Sequence, residues 1–506
     1  MNAAGAVGRS PVIRISTDVT TERGERVYAT ARNAADSIPV VRTGPTGITE
    51  YDPLVLTTSE GSTAFFISPM TSTVRDIIAK FEAGHLPTDD ADFVVEHDPG
   101  ASSLPVPADG LLAAGQRSVL GPCGWADPLD PTEYTLYSTE REASALSDVD
   151  LLGRGRGDAA TDEPVADVWQ HARGADGDSI VVMNANDADS RSQVDQTVLA
   201  GAPMSVLDGV AAVAEFVGAE DAVLYLNESD VELQRRLGEA VEAAEGKLPI
   251  VPELVVGPDE YRAGEPTAAL EAMEGADRIE PRIRPPPPAE YGLYGRPTVI
   301  HTPRTFAQVH RALRDPQCFE TDTADPGTRL LTVTGDVVSP AVLELGPEAD
   351  LSVVRDAVQL DGSFKMACVG GVFGGITCTL TVAPTAQSLT KAGLGTDGVV
   401  ELLNEESCAV ANAGERARFA SEANSGRCVP GREGTKQLTE LLREIYRGSF
   451  DGEKIRELGR VMTRSSNCQI GAHAPRPVIT AIDAFESEFE AHVDGHCPSG
   501  TCTEKL

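Results

Sequence analysis

The chain has 506 residues, 41% of them hydrophobic, and its 78 acidic against 42 basic residues give a formal net charge of −36. A negative excess of this size, scattered along the whole chain, disfavours nucleic acid and anionic surfaces as partners and matches adaptation to high salt, where screening weakens self-repulsion. The length calls for three or four domains; no apolar run is long enough to span a bilayer and no leader pattern opens the chain, so a soluble cytoplasmic protein without membrane insertion is expected.

Residues 10–100 read as a small α/β unit. A strand is expected to start at Val40, with others over residues 53–56 and 63–67. Val74, Ile77, Ile78 and Phe81 then recur at helical spacing, with Thr73 as cap and Gly84 as stop. Residues 98–115 form a Pro- and Gly-containing linker. From 180 to 256, strands and helices alternate in the order βαβαβ. Buried runs lie at 180–183, 222–226 and 250–256; Val206, Val210, Val213 and Val217 mark one helix, and Leu233, Leu237 and Val241 the next. This order implies a parallel, doubly wound sheet with ligands at the strand C-terminal ends. The proline run 285–288, flanked by Arg282 and Arg284, is a stiff spacer. Residues 329–375 alternate short strands with Gly turns. After Asp397 the pattern turns helical, with apolar faces at Leu438, Leu441, Leu442 and Ile445, then at Val478, Ile482, Phe485 and Phe489.

Nine cysteines (Cys123, Cys318, Cys368, Cys378, Cys408, Cys428, Cys468, Cys497 and Cys502) are spread widely. An odd, dispersed set argues against a disulfide framework and leaves metal binding or buried free thiols.

Several motifs share one likeness. Ser425-Gly-Arg-Cys428-Val-Pro-Gly431-Arg-Glu-Gly-Thr435 resembles S-C-G-K-C-x-P-C-R-E-G-T, and Cys468 falls where a fourth cysteine belongs. Leu152-Gly-Arg-Gly-Arg-Gly157 resembles the start of G-R-G-G-A-G-F-P-T-G; Gly153, Arg154 and Gly155 match. Met183-Asn184-Ala-Asn186-Asp187 stands for C-N-A-D-E, and Tyr261-Arg-Ala-Gly264-Glu265 for Y-I-C-G-E. Residues 292–298 keep a further motif, after which His301-Thr302 replaces an N-N pair. Thr43-Gly-Pro45-Thr-Gly-Ile-Thr49 resembles T-G-C-x-G-x-C. Over nearly its full length the chain thus resembles the NADH-oxidising flavoprotein subunit of complex I and NAD-linked hydrogenases, in the long form with a thioredoxin-like N-terminal domain.

The resemblance implies an α/β multidomain fold. Its expected parts are a degenerate thioredoxin-like domain (1–110), a Rossmann-like flavin-type domain for FMN and NADH (111–310), a β-grasp domain (311–396) and a C-terminal helical iron–sulfur-type bundle with a Cys/His tail (397–506). It implies hydride transfer from NADH to FMN, then electron transfer to a 4Fe–4S cluster and on to other subunits of a redox complex; a homo-oligomer is the alternative partner. Gly153, Arg154, Gly155, Asn184, Asp187, Tyr261, Gly264 and Glu265 are the implied nucleotide ligands, with Tyr261 and Glu265 as a packed hydrogen-bonded pair the other reading. Cys428 and Cys468 are the implied cluster remnant. A cubane takes four thiolates, and Ser425 and Gly431 replace two. Pro45 and Thr49 likewise replace the pair that would hold a 2Fe–2S cluster. Asp158 and Asp162 put negative charge where the flavin phosphate is expected. Cys123, in a stretch resembling N-C-G-x-x-D-P, and His492, Cys497 and Cys502, in one resembling F-E-A-H-I…C-P-A-G-V-C, would suit tetrahedral zinc, with His496 an alternative ligand. Two readings follow: an NADH-oxidising flavoprotein subunit, or a non-catalytic scaffold or assembly paralogue that keeps the fold and a structural zinc.

Overall fold

The computed structural model describes residues 10–18, 21–136, 150–319 and 323–502. It is a mixed α/β assembly of three sheets and a helical region.

The first sheet contains β1 (Val12–Ser16), β2 (Val40–Thr43), β3 (Leu54–Ser59), β4 (Ser62–Ile67) and β5 (Phe93–Glu96), in the order β2-β1-β3-β4-β5. α1 (Glu22–Ala34) and α2 (Thr71–Glu82) pack on it. β1 is the buried second strand of the sheet, a position that lies ahead of the expected first strand. α2 begins two residues before Thr73, with Met70 as a cap that makes no side-chain hydrogen bond. The linker is held by Trp125 Nε1, which donates to the Ala101 carbonyl at 2.8 Å, and by the Leu111 amide, which donates to the Tyr51 hydroxyl at 3.2 Å; the segment after it is fastened too. Arg14 stacks on Trp125 at 3.7 Å and donates to its carbonyl at 3.0 Å. The buried carboxylate of Glu344 accepts from the Val119 and Leu120 amides at 3.0 Å.

The second unit runs through α3 (Val165–Gly174), β6 (Ile180–Asn184), α4 (Val194–Gly201), α5 (Pro203–Val217), β7 (Asp221–Asn227), α6 (Val231–Ala244), β8 (Glu253–Gly257), α7 (Pro266–Met273), β9 (Thr298–His301) and α8 (Pro303–Arg314). Its four strands are all parallel, in the order β8-β7-β6-β9. Every residue of β6 is buried, as a central strand covered on both faces requires. The order reverses between β6 and β9, and the crevice beyond their C-terminal ends is where such sheets take ligands. Among the described residues no single helix is long and apolar enough to cross a membrane; α4 and α5 pass jointly, but they bend by 97° and are almost wholly buried.

The third sheet holds β10 (Arg329–Gly335), β11 (Ala341–Leu345), β12 (Phe364–Val369), β13 (Gly375–Thr377) and β14 (Val399–Asn404), with α9 (Ser352–Ala357) and α10 (Ala386–Lys391) between strands. The order β11-β10-β14-β12-β13 puts β14 in the centre. The apolar run Val-Val-Glu-Leu-Leu belongs to the sheet, so the pattern does not turn helical directly after Asp397 as expected. A run that short reads equally as buried strand or helix. The helical region begins at α11 (Ala409–Ala423) and continues through a π-turn at Pro430–Gly434, α12 (Thr435–Tyr446), α13 (Gly452–Ser465), α14 (Gln469–His473) and α15 (Pro475–Val493).

Candidate nucleotide cleft, thiol pair and tail metal centre

The Gly-rich loop 153–157 lies over the switch point. Gly155 adopts φ +86°, and a side chain at Gly153 would strike the Ala160 carbonyl, so both positions demand glycine. Asn184, at the end of β6, donates to the carbonyls of Gly157 at 3.0 Å and Gly264 at 3.1 Å. Arg156 lies 3.9 Å over the Tyr261 ring and bonds Asp187 at 3.1 Å. The expected nucleotide residues Gly153, Gly155, Asn184, Asp187, Tyr261 and Gly264 therefore do converge.

Glu265, Tyr261 and Arg154 work differently from expectation. Glu265 is the N-cap of α7: its carboxylate accepts from the Thr267 and Ala268 amides at 2.8 Å and meets Arg284 at 3.2 Å. Tyr261 packs edge-on against Phe373 and Phe419, and burial raises its phenol well above the ordinary value. The two do not form the hydrogen-bonded pair of the alternative reading. Arg154 is turned away from the cleft, into a buried network with Asp325 at 2.8 Å and the Pro326 carbonyl at 2.7 Å. Arg329 joins that network through Asp325 and Asp162, both at 2.8 Å, so the Asp162 carboxylate is paired with a cation.

Asp158 does occupy an anion position. The N-terminus of α8 closes the crevice; its Arg304 amide is taken by Asp195 at 3.1 Å, and the anion cradle beside it is built from His301, Thr302 and Thr305. There the fully buried Asp158 carboxylate accepts from Thr305 Oγ1 at 2.7 Å, His301 Nδ1 at 2.8 Å and, more weakly, the Thr302 amide at 3.4 Å. Trp169 Nε1 donates to His301 Nε2 at 2.8 Å, so the second ring nitrogen, Nδ1, carries the hydrogen toward Asp158. Beside this, Arg304 is held by Asp195 through Nε at 2.9 Å and Nη2 at 2.6 Å. The space left among Arg156, Asn184, Asn186, Asp187, Gly264 and Thr302 is about 10 Å³. That holds about one water, where a cofactor pocket needs roughly 300 Å³ or more. As arranged, this part of the cleft is not preformed for an FMN.

A neighbouring cavity of about 180 Å³ is lined by Arg156, Thr396, Asp397, Gln469, His473 and Arg476. Burial, with Arg476 adding to it, pushes His473 down to about 3 from an ordinary 6.5. The unfolded chain then takes up this proton more readily than the folded one, so stability is intact above pH 6.5 and falls as pH drops toward 3. Burial raises Asp397 to about 6, which works the opposite way, favouring the fold at low pH. Denaturant titrations between pH 7 and 4 should therefore show a His473→Gln variant losing less stability on acidification than the parent; equal losses would exclude His473 as the source.

Cys428 and Cys468 meet, their sulfurs 3.5 Å apart. Gly431 donates its amide to Cys428 Sγ at 3.3 Å and Gly471 donates to Cys468 Sγ at 3.4 Å. Among the described residues they gain no third Cys, His or acidic ligand. Two thiolates do not fit a cubane, which takes one per iron. Pro45 and Thr49 line a separate cavity of about 460 Å³ between the first sheet and α4 and α6, with no cysteine in its lining.

The tail forms the best metal-type group. Ligand atoms of Cys408, His492, Cys497 and Cys502 lie within 4.8 Å of one another. His492 Nδ1 donates to the Glu488 carbonyl at 2.6 Å, which leaves Nε2 unprotonated toward the sulfurs of Cys502 at 2.9 Å and Cys408 at 3.4 Å. This corrects the expected set: Cys123 lies in another core, beside Gly201 and the Pro45 carbonyl, where burial pushes its thiol up to about 12. Cys408 takes its place. It caps α11, which packs on α15, and its sulfur accepts from the Ala411 amide at 3.4 Å. Nothing local in sequence pairs Cys408 with the tail; only the packing of α11 against α15 does.

Residues 147–311 match the family model described as the Nuo51 FMN-binding domain, and residues 411–492 match the NADH-ubiquinone oxidoreductase-F iron-sulfur binding region. The NADP-reducing hydrogenase subunit HndC of Solidesulfovibrio fructosivorans is 29% identical over 419 residues, covering 76% of this chain and 85% of that protein. An NADH-quinone oxidoreductase subunit of Rhizobium meliloti (strain 1021) is 31% identical over 375 residues, 68% of this chain and 87% of the relative. The crystal structure of an NAD+-reducing [NiFe]-hydrogenase in the H2-reduced state superposes with a TM-score of 0.67 at 22% identity, over 97% of this chain and 87% of that one.

Proposed function

Since the chain belongs to the flavoprotein-subunit family of NADH-quinone oxidoreductases and NAD-linked hydrogenases, we propose that it takes that subunit's place in a multisubunit redox complex as a scaffold-type member. In this reading its own flavin and cluster chemistry is curtailed and a structural zinc is kept. The observation that carries it is the Asp158 carboxylate in the anion cradle beside α8, bound by His301 and Thr305. A fixed internal anion competes with any phosphate for the same donors and repels it. The chain's own residues then serve to hold the cleft shut and to present a rigid surface to neighbouring subunits.

A three-sulfur, one-nitrogen donor set with the imidazole oriented by a backbone carbonyl supports zinc at Cys408, His492, Cys497 and Cys502. The strand orders support reading the first sheet as thioredoxin-like, the parallel sheet as Rossmann-like and the third as β-grasp. The competing reading, an NADH-oxidising enzyme, draws on the convergence of Asn184, Asp187, Tyr261 and Gly264 on one cleft. Anaerobic purification followed by an absorbance spectrum and by flavin, iron and zinc quantitation separates the two. Zinc near one per chain, with flavin and iron far below one, is the expected result; stoichiometric flavin surviving gel filtration restores the enzyme.

The charge of −36 supports a cytoplasm of high salt. The Debye length shrinks from about 10 Å at 0.1 M to about 3 Å at 1 M, so self-repulsion is largely screened at molar salt. Melting temperature should climb steeply between those concentrations, and a flat profile would count against halophilic adaptation.

A further inference from the structure

We propose that Cys428 and Cys468 form a reversible dithiol–disulfide couple that exchanges with low-molecular-weight disulfides through the cleft at Cys468. The inference rests on the reading above, in which no cubane is held at this site.

The sulfurs already touch at 3.5 Å, against about 2.0 Å in a disulfide bond. The residue at 431 makes that contact possible. A Cβ there would lie 3.0 Å from the Cys428 sulfur and 3.1 Å from that of Cys468, crowding both beside the gap the two must close. The substitution that removes a third cluster cysteine thus clears the path for the remaining two to meet. A second glycine cooperates: a Cβ at Gly471 would sit 3.0 Å from the Gly431 Cα, so the backbones carrying the two cysteines approach as glycine alone allows.

Access is asymmetric. Cys428 is buried, whereas Cys468 is partly exposed and lines an open cleft of about 300 Å³ with Glu265, Arg284, Asn467, Gln469 and His473. Chemistry with an outside reagent therefore starts at Cys468. Cys468 passes its proton to the Cys428 thiolate 3.5 Å away as it attacks one sulfur of a small disulfide; a Cys468–S–S–R bond forms and one RS⁻ leaves, taking the proton back from Cys428. The Cys428 thiolate, held by the Gly431 amide, then attacks the Cys468 sulfur, and the second RS⁻ departs. Two cysteine thiols are oxidised by two electrons and one small disulfide is reduced to two thiols. The reverse starts with a small thiolate attacking Cys468, and Cys428 leaves. The bond would staple the π-turn that opens α12 to the turn before α14, whose Gln469 donates to the Arg156 carbonyl at 3.0 Å. The couple's state is thereby linked to the Gly-rich loop.

The test uses full-length protein, purified anaerobically and assayed for iron, then equilibrated in buffers of reduced and oxidised glutathione at graded ratios. Acid quenching, alkylation and peptide mass spectrometry read the result. Expected are negligible iron, a Cys428–Cys468 linkage near one per chain in oxidised buffer, and full return of both thiols with dithiothreitol. Gly431→Ala should slow linkage by about tenfold, because its methyl obstructs closure, while tail-bound metal is unchanged. Free alkylated Cys428 and Cys468 in oxidised buffer, with iron absent, would overturn this proposal alone. Stoichiometric iron lost on Cys428→Ser would overturn both it and the reading it rests on. Unchanged kinetics in a folded Gly431→Ala protein would also count against it.

Discussion

A Cys408→Ser protein should leave purification with its metal lost, while Cys123→Ser should keep it in full. Cys408, His492, Cys497 and Cys502 bring their ligand atoms within 4.8 Å, close to the edges of about 3.8 Å in a zinc tetrahedron with sulfur arms of about 2.3 Å. The site joins the start of α11 to the end of α15 and to the loop beyond it, which Thr501 Oγ1 also ties to the Glu406 carbonyl at 2.6 Å. An ion held by all four ligands should fix that loop further. Structural zinc in small domains binds with roughly 10–16 kcal/mol, so losing one of four ligands weakens the tail far more than losing a surface contact. Elemental analysis of both variants, with limited proteolysis after residue 493, measures the effect. Metal retained in Cys408→Ser, or released in Cys123→Ser, would defeat the assignment.

The same site shows where sequence reading stops. His492, Cys497 and Cys502 are close in sequence on a helix end and the turn after it, and their grouping is legible from spacing. Cys408 is 84 residues from His492 and joins them only because α11 packs against α15. Cys123 sits in a recognisable motif, but motifs carry no information on which core a residue enters. The same limit applies to the cleft. The Gly-rich loop and Asn184 are placed by strand order, because doubly wound sheets put ligands at one edge. Asp158 is readable as a charge near an expected phosphate. That it is fully satisfied there by His301 and Thr305, some 140 residues away, depends on the crossover from β6 through β9. Asp162, four residues from Asp158, is equivalent to it in sequence and instead pairs with Arg329. The central strand β14 is hidden for a local reason: six apolar-rich residues beside a helical segment have no period long enough to declare themselves.

Replacing Asp158 by Ala should cost about 3–5 kcal/mol of stability, the scale for removing one partner of a buried charged hydrogen-bonded group. Four donors lose their acceptor at once: His301 Nδ1, Thr305 Oγ1, the Ala160 amide at 2.8 Å and, more weakly, the Thr302 amide. His301 cannot simply turn over, because its other nitrogen is engaged by Trp169 Nε1. Asp158→Asn keeps an acceptor oxygen and the shape, so its loss should be smaller, about 1–3 kcal/mol, the cost of the unmatched hydrogen bonds alone. The vacated cradle gives the experiment a second readout. With the carboxylate gone, His301 Nδ1, Thr305 Oγ1 and the Ala160 and Thr302 amides are left to an anion from solution, and millimolar inorganic phosphate should raise the melting temperature of Asp158→Ala well beyond its effect on the parent. An Asp158→Gly, Pro164→Lys protein carries this further by removing the carboxylate and adding a cation at the start of α3, and should bind FMN more tightly than the parent by fluorescence quenching. Equal phosphate responses in parent and alanine variant, measured at constant ionic strength, would mean that Asp158 does not occupy an anion site and that the closed cleft has another cause.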